Sequence, residues 1–289
     1  MTREIDLPEL RTTILRDFPE LAKAEFKPLT AGWHSVAVDV GDRLIFKFPR
    51  HETAQRALIK EASLLALVRP AVTMSVPDLT LHEGPPMYSR HRKLRGDHLV
   101  AAQYDRLPEP ARDALGRRLG EFYAQLHRLD HDAVRAAGAG PVEAWLSAEE
   151  ILARAVPALP VELRGFAEET VAEWRDMPPD PYGTTYGFFD GHGWNMAFDH
   201  GGGTLCGIYD FADSGFGPLH QEFIYSNFIS PDLTRRIADN YEALSGRQLD
   251  HRRIDVLTGM HRLSELAAFA DDPARRPDMI RHVADWARP

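Results

Sequence analysis

The spacing of apolar residues predicts two kinds of structure along the chain. Residues 26–50 (FKPLTAGWHSVAVDVGDRLIFKFPR) alternate apolar and polar side chains around Gly41-Asp42, which predicts an antiparallel hairpin. Apolar residues then recur every three or four positions in ETAQRALIKEASLLALVRP, which predicts a helix that ends at Pro70. Further strand segments follow in VPDLTLHEGPPMYSRHRKLRG. The first third of the chain is therefore predicted to run strand, strand, helix, strand, strand.

From about residue 97 the pattern becomes mainly helical. LPEPARDALGRRLGEFYAQLHRL carries an apolar stripe that is typical of a core helix. The stripe consists of Leu115, Leu119, Phe122 and Leu126. Two short strands, NMAFD and TLCGIYDF, interrupt the helical region, and the HGGG between them predicts a tight turn because glycine permits positive φ. We expect an α+β chain with a small antiparallel sheet and a larger helical part.

Composition and charge narrow the class of protein. With 289 residues, 44% of them apolar, the chain can bury a substantial core and is long enough for one large domain or two lobes. The formal net charge of −9 disfavours a nucleic-acid surface, which needs concentrated Lys and Arg. A cationic small molecule is the easier electrostatic match, although acidity also serves solubility.

The cysteine and histidine content excludes two further classes of site. A single cysteine, Cys206, cannot form an intramolecular disulfide or a Cys-rich zinc site, and it fits a reducing cytoplasm. The spacing of His192, His200 and His220 is irregular, so no zinc site is expected. MTREIDLPEL lacks the apolar core of a signal peptide, and no run approaches the length of a membrane helix. We expect a cytoplasmic protein.

Two charged residues depart from the burial pattern of the first region. Lys47 lies inside the apolar strand LIFKFP, and Glu61 lies on the apolar stripe of the following helix. A lone buried charge is costly, so the two side chains either reach solvent or pair with each other. Long side chains often reach water, whereas a strand lysine paired with a helix glutamate is how protein kinases hold the α- and β-phosphates of ATP. The pattern alone leaves both interpretations open.

The segment FFDGHGWNMAFD, residues 188–199, places Asp190 five residues before Asn195, and Asp210 follows beyond the predicted hairpin. Asp and Asn often serve only as turn residues, because they bond to their own backbone. The same three groups also suit phosphoryl transfer. One carboxylate receives or orients the proton of the acceptor hydroxyl, while the amide oxygen and the other carboxylate hold magnesium on the phosphates.

These segments resemble the aminoglycoside phosphotransferase family, small-molecule kinases with the protein-kinase fold. FFDGHGWNMAFD followed by GIYDFADSGFGP is similar to the family's catalytic and metal-binding loops, usually His-x-Asp-x-x-x-x-Asn, a hairpin, and Asp-Phe or Asp-Trp. RLIFKFPR resembles the lysine strand, and Glu61 falls at the helix glutamate. YSRHRKLRGDHL is similar to the hinge, and LGRRLGEFYAQLHRL to the long helix that ends in Leu-His. The six elements occur in the family's order.

The resemblance implies a bilobal protein-kinase-like fold, with a nucleotide-binding lobe over residues 1–96 and a helical lobe with the acceptor site over residues 97–289. It implies ATP or GTP as phosphoryl donor and Mg²⁺ as cofactor. The implied roles are Asp190 as catalytic base, Asn195 and Asp210 as magnesium ligands, Lys47 with Glu61 as the grip on the α- and β-phosphates, and Ser35 as a phosphate contact. An exposed turn serine is an equal alternative for Ser35.

The chain departs from the family pattern at the start of the catalytic loop. Phe188 stands where the family usually has a histidine that braces this loop by hydrogen bonding, and apolar packing by the ring is the alternative brace. His192 matches a position where the family often has histidine, and we expect it to structure the loop. Gly32 is the only glycine in TAGWHS, so that turn is not a glycine-rich loop.

The acceptor is open at this stage. Family members that phosphorylate aminoglycosides bind ammonium groups with carboxylates of the helical lobe. Candidate acids are Asp213, Glu265 and Asp271, together with Asp272 and Glu222, the last being the best placed for a structural role. Solvated or helix-capping roles are the alternative for each.

Three functions follow from the resemblance. The first is an antibiotic kinase that acts on an aminoglycoside. The second is a kinase of the same fold that acts on choline, a sugar, a macrolide or homoserine. The third is a nucleotide-binding pseudokinase that regulates a partner. The expected partners are a nucleotide and a small-molecule acceptor, with no nucleic acid and no membrane, and the protein is a monomer or a dimer.

Overall fold

The computed structural model of the chain describes residues 6–29 and 35–287. Five strands form one antiparallel sheet in the order β1-β2-β3-β5-β4. Their bounds are β1 (Phe26–Leu29), β2 (Ser35–Val40), β3 (Leu44–Pro49), β4 (Thr80–His82) and β5 (Tyr88–Arg92). Gly41 and Asp42 turn the chain between β2 and β3 with φ of 64° and 55°, in the left-handed region that a tight hairpin requires. The predicted hairpin is therefore confirmed.

Two helices accompany this sheet. They are α1 (Leu7–Asp17) and α2 (Glu52–Val68). Leu10 and Ile14 of α1 are buried in one apolar cluster with Phe46, Phe48 and Tyr88 of the sheet. The predicted helix is α2, which ends two residues before Pro70 because proline cannot continue the hydrogen-bond ladder.

The remaining chain is mainly helical. Its helices are α3 (Ala101–Tyr104), α4 (Glu109–Leu126), α5 (His131–Ala136), α6 (Ala148–Ala158), α7 (Val161–Asp176), α8 (Pro231–Ser245), α9 (His251–Ala268) and α10 (Arg276–Trp286). The stripe predicted for the long helix is buried in α4, which packs against α8. Gly120 permits this approach, because a Cβ there would lie 2.9 Å from the Ile237 carbonyl oxygen.

Two small two-stranded sheets, one of them a hairpin, carry the candidate catalytic segments. Their strands are β6 (Thr184–Gly187), β7 (Met196–Asp199), β8 (Thr204–Ile208) and β9 (Gly215–Pro218). β7 pairs with β8 across the predicted glycine turn, and β6 pairs with β9. The chain therefore leaves β6, forms the loop 188–195, and returns through β7 and β8 to Asp210.

Two expectations need separate comment. The predicted strand order omitted β1, an additional antiparallel strand beside β2. Gly32 and most of the turn before Ser35 lie outside the described residues. No helix of the described chain has the length and apolar character needed to cross a membrane.

Candidate active site

An ion-pair network joins the strand lysine, the helix glutamate and the acid that follows the hairpin. Lys47 Nζ lies 3.1 Å from Glu61 Oε2 and 2.8 Å from Asp210 Oδ1. Only 2% of the Glu61 surface is exposed, whereas the Asp210 side chain is 46% exposed. The structure thus pairs the two charges that the sequence left as either paired or solvated.

The electrostatics of this network keep the lysine charged. Burial lowers the pKa of the Lys47 ammonium, but the charges of Glu61 and Asp210 outweigh burial and raise this pKa above its ordinary value. Burial raises the pKa of the Glu61 carboxyl, and both Lys47 and the Phe211 N–H oppose that effect. A fixed cation beside a half-exposed carboxylate is suited to bind a phosphate group.

Glu61 also positions the loop that carries Asp210. Its Oε1 accepts a hydrogen bond from the Phe211 backbone N–H at 3.1 Å. Asp210 itself has φ of 68° and ψ of 68°, a left-handed conformation that is unfavourable for a residue with a Cβ. Such backbone strain persists only where the surroundings fix it, and it is concentrated at functional sites.

The loop after β6 brings Asp190 and Asn195 into direct contact. Asn195 Nδ2 donates to Asp190 Oδ2 at 2.6 Å and to the Asp190 carbonyl oxygen at 3.0 Å. His192 Nε2 lies 3.1 Å from Asp190 Oδ1. Burial lowers the pKa of the His192 imidazole, but the hydrogen bond and charge of Asp190 outweigh it and raise this pKa. Both carboxylate oxygens of Asp190 are therefore oriented by neighbours on its own loop.

The donor set fits magnesium. Because both hydrogen bonds of the Asn195 amide use Nδ2, its Oδ1 is the atom left for a cation. Asp210 would offer Oδ2 as a second oxygen ligand, since Lys47 engages only its Oδ1. Mg²⁺ takes one or two protein oxygens together with substrate phosphates, which matches this pair.

Phe188 holds the two loops together through apolar contact. Its ring is fully buried, 4.7 Å from the Phe211 ring and 6.2 Å from the Phe122 ring, measured between centroids. Because Phe211 directly follows Asp210, this contact joins the loop of the candidate base to the loop of the candidate metal ligand. Such an aromatic pair contributes roughly 0.5–1.5 kcal/mol beyond burial of area.

Glu222 is the polar support of the same loop. It is fully buried, and it accepts the Phe188 N–H at 2.8 Å and the Phe189 N–H at 3.0 Å. His127 Nε2 lies 3.4 Å from Glu222 Oε2. Gly187 makes room for the carboxylate, because a Cβ there would lie 1.9 Å from Glu222 Oε2. The glutamate therefore fixes the backbone immediately before Asp190.

A cleft of about 1840 Å³ opens beside Asp190. Its acidic lining residues are Glu143, Glu169, Glu173, Asp190, Asp213, Asp255, Glu265 and Asp285. Its cationic ones are Lys60, Arg252 and Arg262. Eight acids and three cations give the lining a charge of −5 with histidines neutral, against −9 for the whole chain. The negative charge of the protein is thus concentrated where an acceptor would bind.

Two of the candidate acceptor-binding acids line the cleft, and the others do not. Asp213 and Glu265 line the cleft. Glu265 lies 2.9 Å from Arg262 Nη1. Asp271 does not line the cleft: its side chain is 92% exposed and lies 3.3 Å from Arg154 Nη2. Asp272 accepts backbone N–H groups of the turn before α10, which is a capping arrangement.

Ser35 lies on the face of the sheet that carries Lys47. In the β2–β3 register it pairs with Pro49, and Ala37 pairs with Lys47. Because side chains two residues apart share a face, Ser35 lies on the same face as Lys47. Only 6% of its surface is exposed, so it is not a solvated turn residue.

Sequence reasoning missed most of the lining of this cleft. Glu169 and Glu173 are four residues apart on α7, a spacing that places them on one helix face, and Asp255 meets them from α9. The sequence shows this helical spacing, but it does not show that the helix face borders a cavity. The aromatic lining was also missed, and it comprises Trp145, Phe166, Phe189, Trp194, Tyr225, Phe228, Phe269 and Trp286.

His261 is a buried histidine in this aromatic lining. Its ring centroid lies 5.4 Å from that of Tyr225 and 5.3 Å from that of Phe228. Its Nδ1 is buried with no hydrogen-bond partner among the described residues. Burial lowers the pKa of this imidazole from 6.5 to about 4. The side chain is therefore neutral at neutral pH.

We expect His261 to make the protein sensitive to acid. Because the pKa is lower in the folded state, the unfolded chain binds more protons, so the free energy of unfolding falls as the pH drops below 6.5, and the loss due to this group levels off below about 4. At about pH 5 the loss amounts to about 2 kcal/mol. Denaturant unfolding at about pH 7.5 and about pH 5 should show a smaller acid loss for His261→Gln than for wild type. The exposed His251→Gln should follow wild type, and equal losses in all three would contradict the assignment.

Comparison with known proteins supplies the family. A model of the phosphotransferase enzyme family matches residues 25–257. No curated protein matches the sequence. Among solved structures, the GDP complex of wild-type aminoglycoside 2′-phosphotransferase-IIIa is 21% identical, with a TM-score of 0.81 over 98% of each chain. The streptomycin–ATP ternary complex of APH(2″)-IIa is 15% identical, with a TM-score of 0.64 over 98% of this chain and 96% of the other.

A macrolide kinase also shares the architecture. Macrolide 2′-phosphotransferase from Brachybacterium faecium is 17% identical, with a TM-score of 0.65 over 94% of this chain and 98% of the other. At these identities the likeness establishes the fold. The predicted α+β, protein-kinase-like arrangement, with a small antiparallel sheet and a larger helical part, is therefore confirmed.

Proposed function

Because the chain belongs to the phosphotransferase enzyme family, we propose that it transfers the γ-phosphoryl group of ATP or GTP to a hydroxyl group of a small cationic molecule, with an aminoglycoside as the leading acceptor. One observation carries the proposal. Asp190, oriented by two neighbours, lies in a cleft whose lining has a charge of −5. Carboxylates bind ammonium groups through charge-assisted hydrogen bonds, so such a cleft favours a polyamine acceptor.

The proposed chemistry needs positioning rather than covalent catalysis. Lys47, held by Glu61, binds the donor phosphates, and Asp190 accepts the proton of the acceptor hydroxyl as its oxygen attacks the γ-phosphorus. The proton passes to the Asp190 carboxylate while the bond from the γ-phosphorus to the bridging oxygen breaks, with the nucleoside diphosphate as leaving group. Magnesium, held by Asn195 and Asp210, would neutralise charge on the phosphates.

We further propose that the nucleotide-binding lobe ends at Gly96 and that the acceptor lobe covers residues 97–289. Gly96 has φ of 122°, and a Cβ there would lie 2.6 Å from the Phe198 backbone N. The chain therefore enters the second lobe by close backbone contact with β7. A cytoplasmic location follows from the need for ATP or GTP and fits the single cysteine.

A macrolide is the second candidate acceptor. Eight aromatic residues line the cleft, and its volume of about 1840 Å³ exceeds the 300–1,000 Å³ typical of pockets for drug-sized ligands. A large and partly apolar ring system would use both properties. The negative lining favours the aminoglycoside over the macrolide, because an aminoglycoside carries more ammonium groups.

An acceptor panel tests the proposal. The purified protein is incubated with Mg-ATP or Mg-GTP and with kanamycin, streptomycin, erythromycin, choline or homoserine, and each product is examined for addition of one phosphoryl group by mass spectrometry. We expect phosphorylated kanamycin or streptomycin, and reduced susceptibility to the same drug in cells that express the chain. Nucleotide binding without transfer to any acceptor would instead identify a nucleotide-binding regulator.

A further inference from the structure

An exposed indole lies inside the catalytic loop. Trp194 is 59% exposed and is the only aromatic among the large apolar residues exposed in ranges 6–29 and 35–287. Scattered exposed apolar residues are common on protein surfaces, so exposure alone carries no function. Trp194 differs in its position, because it stands between Asp190 and Asn195 and lines the same cleft as Asp190.

The loop presents this indole rigidly. The Trp194 carbonyl oxygen accepts a hydrogen bond from the Tyr209 hydroxyl at 2.9 Å, and the His98 ring lies 4.7 Å from the indole. Gly193 contacts the chain at Leu99, whose N–H donates to the Gly193 carbonyl oxygen at 3.1 Å. A Cβ on Gly193 would lie 1.7 Å from the Leu99 carbonyl oxygen. A surface held in this way loses little conformational entropy on binding a ligand.

The indole belongs to the acceptor side of the site. The cleft that Trp194 lines includes Asp190, but not Lys47 or Asp210, which face the donor phosphates. An acceptor whose hydroxyl reaches Asp190 therefore occupies the cleft that the Trp194 ring also lines. The indole offers a flat apolar face in a lining that is otherwise rich in carboxylates.

We propose that Trp194 is an acceptor-binding residue on which a saturated, hydroxylated ring of the acceptor lies with its C–H face against the indole. The inference rests on the proposed phosphotransferase function and specifies which part of the acceptor is recognised there. Ring hydroxyl and ammonium groups then lie at the edge of the indole, where Asp190 and the other carboxylates bind them. The ring of such an acceptor covers more of the indole than an acyclic acceptor such as homoserine does, so the residue favours an acceptor that carries a ring.

Kinetics of Trp194→Ala and Trp194→Phe test this inference. With the acceptor that the wild-type protein phosphorylates, Trp194→Ala should raise the acceptor KM about tenfold, and Trp194→Phe should recover most of the loss. The KM for the nucleotide should stay unchanged. Leu244→Ala, a truncation of an exposed apolar residue on α8 away from the cleft, should match wild type. An unchanged acceptor KM in Trp194→Ala, or a raised nucleotide KM, would overturn the assignment.

A binding measurement separates this inference from the proposed function. Kanamycin, streptomycin and erythromycin are titrated into wild type and Trp194→Phe while tryptophan fluorescence is followed. We expect one of these compounds to change the fluorescence of the wild-type protein. The same compound should cause a much smaller change in Trp194→Phe, although four tryptophans remain. This result without any transfer would sink the proposed function and keep the inference. Transfer with equal fluorescence changes in both proteins, or no change with any compound, would sink the inference.

Discussion

Asp190→Asn should lower kcat for phosphoryl transfer by about 10²- to 10⁴-fold while nucleotide affinity stays at the wild-type level. The amide cannot accept the proton of the acceptor hydroxyl, so the acceptor oxygen attacks without general-base assistance. The substitution keeps the size of the side chain and one oxygen that can accept the Asn195 Nδ2 bond. Donor binding should persist, because Lys47 and Glu61 lie on different elements and do not contact Asp190. Steady-state transfer kinetics and calorimetric titration of Mg-nucleotide measure the two quantities.

Asp239→Asn is the matched control for this variant. It removes the same charge from an exposed position on α8 and should retain wild-type kinetics. Wild-type turnover in Asp190→Asn would refute the assignment of the base. Loss of nucleotide affinity in Asp190→Asn would assign Asp190 to the donor site instead.

Local patterns predicted the elements of the fold because each depends on residues close in sequence. The period of three to four in residues 52–70 reflects one buried helix face, and the alternation around Gly41 reflects a hairpin whose turn needs positive φ. β1 was missed as a separate strand because Phe26–Leu29 is short and continues the alternation of the segment after it. β1 forms the edge of the sheet by pairing with β2, and no local sequence pattern identifies that partner.

The order of motifs along the chain predicted that Lys47, Glu61 and Asp210 belong to one site, but not that Lys47 contacts Asp210. Lys47, Glu61 and Asp210 are brought together from a strand, a helix and a loop, and Lys47 and Asp210 are 163 residues apart. No periodicity or local spacing in the sequence predicts a contact between residues so far apart. Only the resemblance to a known arrangement placed these residues in one site, and the distances of 3.1 Å and 2.8 Å now place them there directly.

The acceptor side was predicted poorly for a physical reason. Five of its lining acids come from α7, α9 and α10, on helix faces that look solvent-exposed in the sequence, and Glu143 comes from the segment before α6. Asp213 and Glu265 lie in the cleft, but Asp271 lies past the end of α9 and turns to solvent beside Arg154. Helical spacing tells which residues share a face and leaves open whether water or a cavity meets it.

Phe188, which stands in place of the expected histidine, links the loop of Asp190 to the loop of Asp210. A histidine braces a loop by one directional bond, whereas the Phe188 ring packs on Phe211 and Phe122 and needs no polar partner. Glu222 supplies the polar support of the loop, because its carboxylate accepts hydrogen bonds from the backbone N–H groups of residues 188 and 189. Two independent restraints, one apolar and one polar, therefore fix the entry to Asp190.

Glu222→Ala should lower the free energy of unfolding by about 3–5 kcal/mol and should also reduce kcat. The variant leaves the buried N–H groups of Phe188 and Phe189 without an acceptor and removes one of the two partners of the His127 ring. Phe189 has φ of 52°, so its backbone relies on this carboxylate to stay in the left-handed region. Release of that segment displaces Asp190 from the acceptor hydroxyl, and a shift of about 1 Å is enough to cost rate.

Two further variants distinguish the loss of the hydrogen-bond acceptor at Glu222 from the mere loss of a negative charge. Glu222→Gln keeps one accepting oxygen and should lose about 1–3 kcal/mol, less than Glu222→Ala. Glu168→Ala removes an exposed glutamate from α7 and should unfold like wild type. Denaturant titration gives the stabilities, and transfer kinetics at a temperature where all variants are folded gives kcat. Wild-type stability in Glu222→Ala would show that these two N–H groups find other partners and that Glu222 does not stabilise the loop.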